Sequence, residues 1–360
     1  MPREIPVFRG CFLGMAIGDA MGYTVEELSL REIRAEYGPD GLLGYDLRNG
    51  SAEVTSYTQV AAYVANALLI HVTRGKPGNQ IQYVSAAMRE WVKRQHFPRD
   101  PAKSVFWVSQ IPELRRKFCR DARMMDAMRQ EILGTPEKPI NSAATPGAIL
   151  AGAAVGMAFD PARMDPKDIG RIAIQSVALT HGDPEAFLSA AVLAYTVAGL
   201  IQAPEEPLKN QFAFAIDAVQ ALYGKRFPKA NDLAEHLRRV MDMAFAPGAN
   251  PAQDMEILSC RTAGQCLAGA MYACLSSRMD FDTAMITAVN HSGRSAAVAA
   301  VTGAIMGLLL TEEKLPEFYV ESLAAAKVLR TLADDLAQGS PTRGLFDDSW
   351  DHKYTQGLPL

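Results

Sequence analysis

The side chains best placed for chemistry stand where helices begin. Asn290-His291-Ser292-Gly293-Arg294 immediately precedes an apolar, small-residue stretch at 296–310. A helix starting there leaves its first N–H groups unpaired and turns the positive end of its dipole toward the loop, which favours an anion. Arg294 adds a permanent positive charge to that end. Ser56 and Tyr57 open a second helical pattern after Thr55, and Tyr57 there offers a stacking surface or a proton donor. Thr180-His181-Gly182-Asp183-Pro184 reads as a turn entering an apolar helix, with His181 ordering the turn. Asp19 lies in a glycine- and alanine-rich run and reads as a buried carboxylate that caps a helix or accepts hydrogen bonds.

These groups need helices to hold them, and the composition is helical. Of 360 residues, 49% are apolar and only 8% aromatic, a mixture of Ala, Leu, Val and Met that packs helix on helix. Val60, Val64, Leu68 and Val72 recur every fourth position beside Ala61, Ala65 and Leu69, so this helix buries a broad face and ends at Gly75 and Pro77. The same logic predicts helices over 80–95, 146–158, 167–179, 185–201, 209–223, 231–244, 256–276, 281–289, 296–310 and 316–337. No segment sustains the alternation of a strand. The expected architecture is all-α, a compact multi-helix bundle formed by a single domain over 1–338.

Two regions stand apart. The stretch 97–141 carries Pro98, Pro101, Pro112, Pro136 and Pro139 and reads as a variable insertion with one or two helices. The polar tail 339–360 has Phe346, Trp350 and Tyr354 as aromatic handles for docking on the body.

A formal net charge of −4 gives no broad basic surface, so nucleic acid is not an expected partner. The most apolar runs, Phe187 to Ile201 and Ala296 to Leu310, fall short of the roughly 20 residues that span a bilayer, and no membrane association is expected. Five cysteines, with no C-x-x-C pair, argue against a disulfide framework or a thiolate zinc site. With no secretion signal in the opening Met-Pro-Arg-Glu-Ile, the expected setting is reducing and cytoplasmic.

Four islands, taken together, resemble the ADP-ribosylglycohydrolase family. They are Arg9-Gly10-Cys11-Phe12-Leu13-Gly14-Met15-Ala16-Ile17-Gly18-Asp19-Ala20-Met21-Gly22 followed by Val25-Glu26; Thr55-Ser56-Tyr57-Thr58-Gln59; Thr180-His181-Gly182-Asp183-Pro184-Glu185-Ala186; and the run from Asn290 to Ala297, followed by a helix with Gly303 and Gly307. The family's versions of the second, third and fourth read Thr-Asp-Asp-Thr, Thr-His-x-x-Pro and Gly-Asp-x-Asp. The resemblance implies a ligand cleft at one end of an all-α bundle, with Asn290, His291, Ser292 and Gly293 in a loop that contacts the diphosphate or ribose.

It also implies a binuclear Mg²⁺ or Mn²⁺ centre, held by carboxylates of the second and fourth islands. At the matching positions this chain has Ser56, Tyr57, Arg294 and Ala296. Hard cations need charged oxygen ligands, and the guanidinium of Arg294 would repel a divalent ion. The expectation is therefore no metal and no cofactor, with Arg294 in the lost cations' space, pairing with Glu26 or with a ligand phosphate. Ligand contacts are expected from Ser56, Tyr57, His181, Arg294 and the 290–293 loop. The favoured function is a pseudoenzyme that binds ADP-ribose, a related phosphorylated riboside or an ADP-ribosylated protein. The alternative is a metal-independent enzyme acting on a ribosyl N-glycosidic bond, with Glu26 or Asp19 as acid/base and Arg294 as electrostatic stabiliser. A third reading is a scaffold that kept only the fold, and homo-oligomerisation stays open.

Overall fold

The computed structural model describes residues 3–47, 50–75, 80–97, 104–115, 118–119, 121–339 and 348–355. Pro77, Pro98, Pro101 and Phe346 fall outside them. The first five α-helices are α1 (Ile5–Tyr23), α2 (Leu30–Tyr37), α3 (Ser56–Arg74), α4 (Gln80–His96) and α5 (Ala122–Arg129). Next come α6 (Ala151–Ala158), α7 (Pro166–Ala178), α8 (Pro184–Gln202), α9 (Leu208–Tyr223) and α10 (Lys229–Met243). The series ends with α11 (Pro251–Leu258), α12 (Ala263–Ser276), α13 (Phe281–Val289), α14 (Ser295–Leu310), α15 (Glu317–Ser322), α16 (Ala326–Gln338) and α17 (Asp348–Tyr354). Among the described residues there is no strand, only one isolated parallel bridge between Ala52 and Leu323.

Helices α1 and α14 form the centre, and glycine spacing explains how. Gly10, Gly14, Gly18 and Gly22 recur every fourth residue and make one smooth ridge along α1. A Cβ on Gly10 would lie 2.1 Å from the Gly307 carbonyl oxygen, one on Gly14 2.1 Å from that of Gly303, and one on Gly18 1.9 Å from that of Ala299. Backbone therefore touches backbone, which only glycine permits here. The pairing is antiparallel, since Gly10 meets Gly307 while Gly22 meets Ala296. It brings the exit of α1, and with it Glu26, to the N-terminus of α14.

Two expected helices are each broken. The span 256–276 divides into α11 and α12, because Ser259 and Cys260 both take positive φ, 61° and 48°. The span 316–337 divides at Leu323, where the flanking main chain pairs with Ala52: Ala52 N–H donates to Ser322 at 2.8 Å and Ala324 N–H to Ala52 at 3.0 Å. The start expected at 146 moves to Ala151. Helix α2 escaped the sequence pattern, although Ser29 and Glu32 form a capping box at its start.

In the tail, Trp350 and Tyr354 are buried. Trp350 Nε1 donates to Thr73 Oγ1 of α3 at 3.2 Å, and the Tyr354 hydroxyl donates to Asp335 of α16 at 2.5 Å. Helix α8 runs 19 residues and is apolar enough to cross a membrane by length and composition, longer than the sequence reading allowed, but 72% of its most apolar window is buried inside the fold.

Candidate functional site

A cleft of about 330 Å³ opens at one end of the α1–α14 pair. Its walls carry Glu26, Ser56, Tyr57, Arg294 and Ala296, together with Tyr23, Phe118, Asp121, Arg123 and Thr145. Three helices begin on this wall, α3, α5 and α14, and at each start at least one backbone N–H donates to a carboxylate of the chain itself.

Asp19 caps α3 from behind the wall. It is fully buried and accepts from the Thr55 N–H (2.9 Å) and hydroxyl (2.5 Å), and from the Thr58 N–H (3.0 Å) and hydroxyl (2.7 Å). Burial pushes its carboxyl up, while these four hydrogen bonds pull it back. Asp19 is not among the residues lining the cleft. The hydrogen bonds it makes fix Thr55 and Thr58 at the start of α3.

Glu26 caps α14. Its Oε2 accepts the Ala296 N–H at 2.7 Å, and its Oε1 accepts the Tyr57 hydroxyl at 3.2 Å. Arg294 Nη1 stands 3.8 Å from the same Oε1, with 39% of the Arg294 side chain exposed against 5% of Glu26. Burial pushes the Glu26 carboxyl up to about 7, against the opposing pull of the Ala296 amide, Arg294 and Tyr57. Tyr57 is itself pushed well above its ordinary range by burial and by the negative charge of Glu26. The wall thus sets a carboxyl beside one hydroxyl donor and one partly exposed guanidinium.

Asp121 caps α5 through the Met124 N–H at 3.1 Å. Its Oδ2 also accepts from the Thr145 hydroxyl and from His181 Nε2 at 3.2 Å. Burial pushes the Asp121 carboxyl up, but the hydrogen bonds and charge of His181, with those of Thr145 and Met124, outweigh it and hold it well below the usual carboxylate range. His181 is fully buried between Thr180 Oγ1, Asp121 and Thr145. His181 is not among the residues lining the cleft and touches it through the Asp121–Thr145 pair.

The 290–293 loop is likewise turned inward. Asn290 clamps Leu42, accepting its N–H at 2.8 Å and donating to its carbonyl at 2.9 Å. His291 donates from Nε2 to the Ala288 carbonyl and accepts the Gly293 N–H at Nδ1, which locks the neutral tautomer; burial lowers its pKa to about 4. The Ser292 N–H and hydroxyl both donate to Glu256, at 2.6 and 2.9 Å. Gly293 packs where a Cβ would lie 2.6 Å from the carbonyl oxygens of Ser259 and Cys260. None of the four lines the cleft. The loop spends its amides on holding Arg294, whose own N–H donates to Cys260 at 2.7 Å.

Sequence reasoning thus found Glu26, Ser56, Tyr57 and Arg294 on one wall and missed Asp121, Arg123, Tyr23, Phe118 and Thr145. The Tyr23 and Phe118 rings meet edge to face at 5.1 Å. Among the described residues no three His, Cys, Asp or Glu side chains converge as a metal-binding group.

The ADP-ribosylglycohydrolase family model matches residues 4–345, nearly the whole chain. The chain belongs to the ADP-ribosylglycohydrolase family. An uncharacterized protein of Archaeoglobus fulgidus is 24% identical to this ADP-ribosylglycohydrolase-family chain over 338 residues, covering 91% of it and 95% of the relative. A solved structure described as an "ADP-ribosylglycohydrolase-related protein complex" superposes with a TM-score of 0.57 at 22% identity, covering 94% of this chain and 99% of that one. At that identity the likeness shows the fold alone.

Proposed function

We propose that this member of the ADP-ribosylglycohydrolase family is a metal-free pseudoenzyme that binds ADP-ribose or a related phosphorylated riboside without cleaving it. The observation carrying this reading is the Arg294–Glu26 pair at the cleft wall. The family's two divalent cations do not suit the residues present at their positions. Ser56 and Tyr57 offer neutral hydroxyls, Ala296 offers no donor atom, and Arg294 is a fixed cation. The remaining wall carboxylates, Glu26 and Asp121, already cap helices α14 and α5.

The same wall suits an anionic ligand with a ring. Arg294 and Arg123 both line the cleft and can pair with phosphate oxygens. Tyr23, Phe118 and Tyr57 supply aromatic surface for a base or sugar face. An ADP-ribosylated protein could present the same group, and the expected setting remains cytoplasmic, with no nucleic acid or membrane partner.

A second reading rests on Glu26. A carboxyl raised to about 7 in a cleft is suited to general acid/base work at neutral pH, so metal-independent cleavage of a ribosyl N-glycosidic bond is the alternative. A scaffold without a ligand is the third. Calorimetric titration with ADP-ribose, followed by product analysis in the presence of EDTA, separates them. Saturable binding without turnover supports the pseudoenzyme, turnover in EDTA supports the second reading, and neither binding nor turnover overturns both.

A further inference from the structure

A second cavity, of about 290 Å³, shares no lining residue with the cleft. Its floor is aliphatic, made by Leu68 and Leu69 of α3, Val155 of α6, Ile172 of α7 and Leu336 of α16. Its charged lining holds three guanidinium groups, Arg3, Arg163 and Arg171, against two carboxylates, Asp160 and Asp168. Both carboxylates are already committed, Asp160 to Arg163 at 3.4 Å and Asp168 to Arg171 at 2.7 Å.

Arg3 is the cation left over. Its guanidinium donates to the Met157 carbonyl and lies 4.8 Å from the centre of the Phe8 ring. Its Nε is buried without a hydrogen-bond partner, and no carboxylate among the described residues lies within ion-pair distance. Burial lowers the Arg3 pKa, with the more distant Asp160 opposing the fall. Partial burial of a cation with no ion pair of its own is costly, and a ligand anion would offset that cost.

We propose that this cavity binds an amphipathic anion, a medium-chain acyl carboxylate whose chain lies on the aliphatic floor and whose carboxylate pairs with Arg3. The size falls at the lower edge of small-molecule pockets, roughly 300–1,000 Å³, and Gln80 and His71 stand beside the aliphatic floor. An aliphatic floor beside a guanidinium suits an acyl chain with a charged end. The inference is independent of what the cleft binds.

Titration calorimetry of the full chain with sodium octanoate and with octan-1-ol, which keeps the chain and removes the charge, tests it. The expected result is one octanoate per chain, bound about tenfold or more tighter than the alcohol. In Arg3→Gln the two probes should bind alike, and Ile172→Trp, which fills the floor, should abolish both. Absence of octanoate binding, equal affinity of the two probes for the unaltered protein, or octanoate binding unchanged in Ile172→Trp overturns the proposal. The first two outcomes are read on the unaltered chain and do not depend on any variant folding.

Discussion

Arg294 stands 3.8 Å from Glu26, so the guanidinium at the start of α14 faces the carboxylate that caps that same helix. Glu26 is held by the backbone of α14 and the hydroxyl of Tyr57, whereas Arg294 stays 39% exposed in its side chain. The pair is therefore asymmetric: the anion is fixed and the cation can turn toward a ligand. Arg294 and Arg123 are the guanidinium groups that line the cleft, and the Ala296 amide at the start of α14 is already taken by Glu26.

Replacing Arg294 with Ala should weaken ADP-ribose binding by about tenfold or more, the usual consequence of losing one charge-assisted contact. Titration calorimetry reads this directly. Unchanged affinity would mean that the ligand phosphates lie elsewhere.

Manganese should find no saturable site in the cleft below millimolar concentration, since none of Ser56, Tyr57, Arg294 and Ala296 supplies a carboxylate. Electron paramagnetic resonance of the free ion, titrated with protein, gives the bound fraction. Two tightly bound manganese ions per chain would sink the metal-free reading.

Much of this was legible in the sequence, and what was not has a physical reason. The glycine spacing of α1 and the Gly303–Gly307 pair announce close helix contact, and the four cleft residues Glu26, Ser56, Tyr57 and Arg294 follow from the islands that carry the resemblance. The direction in which the 290–293 loop points was not legible. Its partners come from distant chain, Leu42 lying 248 residues from Asn290 and Glu256 sitting on α11. Asp121 was hidden in the variable stretch, where the one local signal is its place as the cap before α5. The break at Ser259 and Cys260 carries no glycine to mark its positive φ.

Gly18→Ala should destabilise the fold by about 3 kcal/mol, the upper part of the range for overpacking. The new methyl would meet the Ala299 carbonyl oxygen at 1.9 Å, and neither backbone has a rotamer with which to yield. Urea denaturation measures the change. A loss of stability under about 1 kcal/mol would show that α1 and α14 can separate without cost, and that their contact does not fix the cleft.

Asp19→Ala should cost about 3 kcal/mol or more, because it leaves two buried backbone N–H groups at the start of α3 without an acceptor. The same denaturation assay reads it. If stability held while only turnover or ligand binding changed, Asp19 would be acting on a ligand and not on the helix.

Glu26 makes a prediction whose sign depends on pH. Its carboxyl is raised from 4.5 to about 7 in the folded chain, chiefly by burial. A raised carboxyl holds its proton more tightly in the folded state, so its contribution to stability is full below about 4.5, the ordinary value, and is lost as pH climbs through about 7. Glu26→Gln mimics the protonated form and does not titrate. Near pH 5 the variant should therefore match the unaltered protein most closely, and by pH 8 its relative stability should have risen. Thermal unfolding of both proteins at half-unit steps between these limits measures the difference. A difference in Tm that stays flat with pH would mean that Arg294 and the Ala296 amide keep the carboxylate ionised throughout, and the acid/base reading of Glu26 would then lose its support.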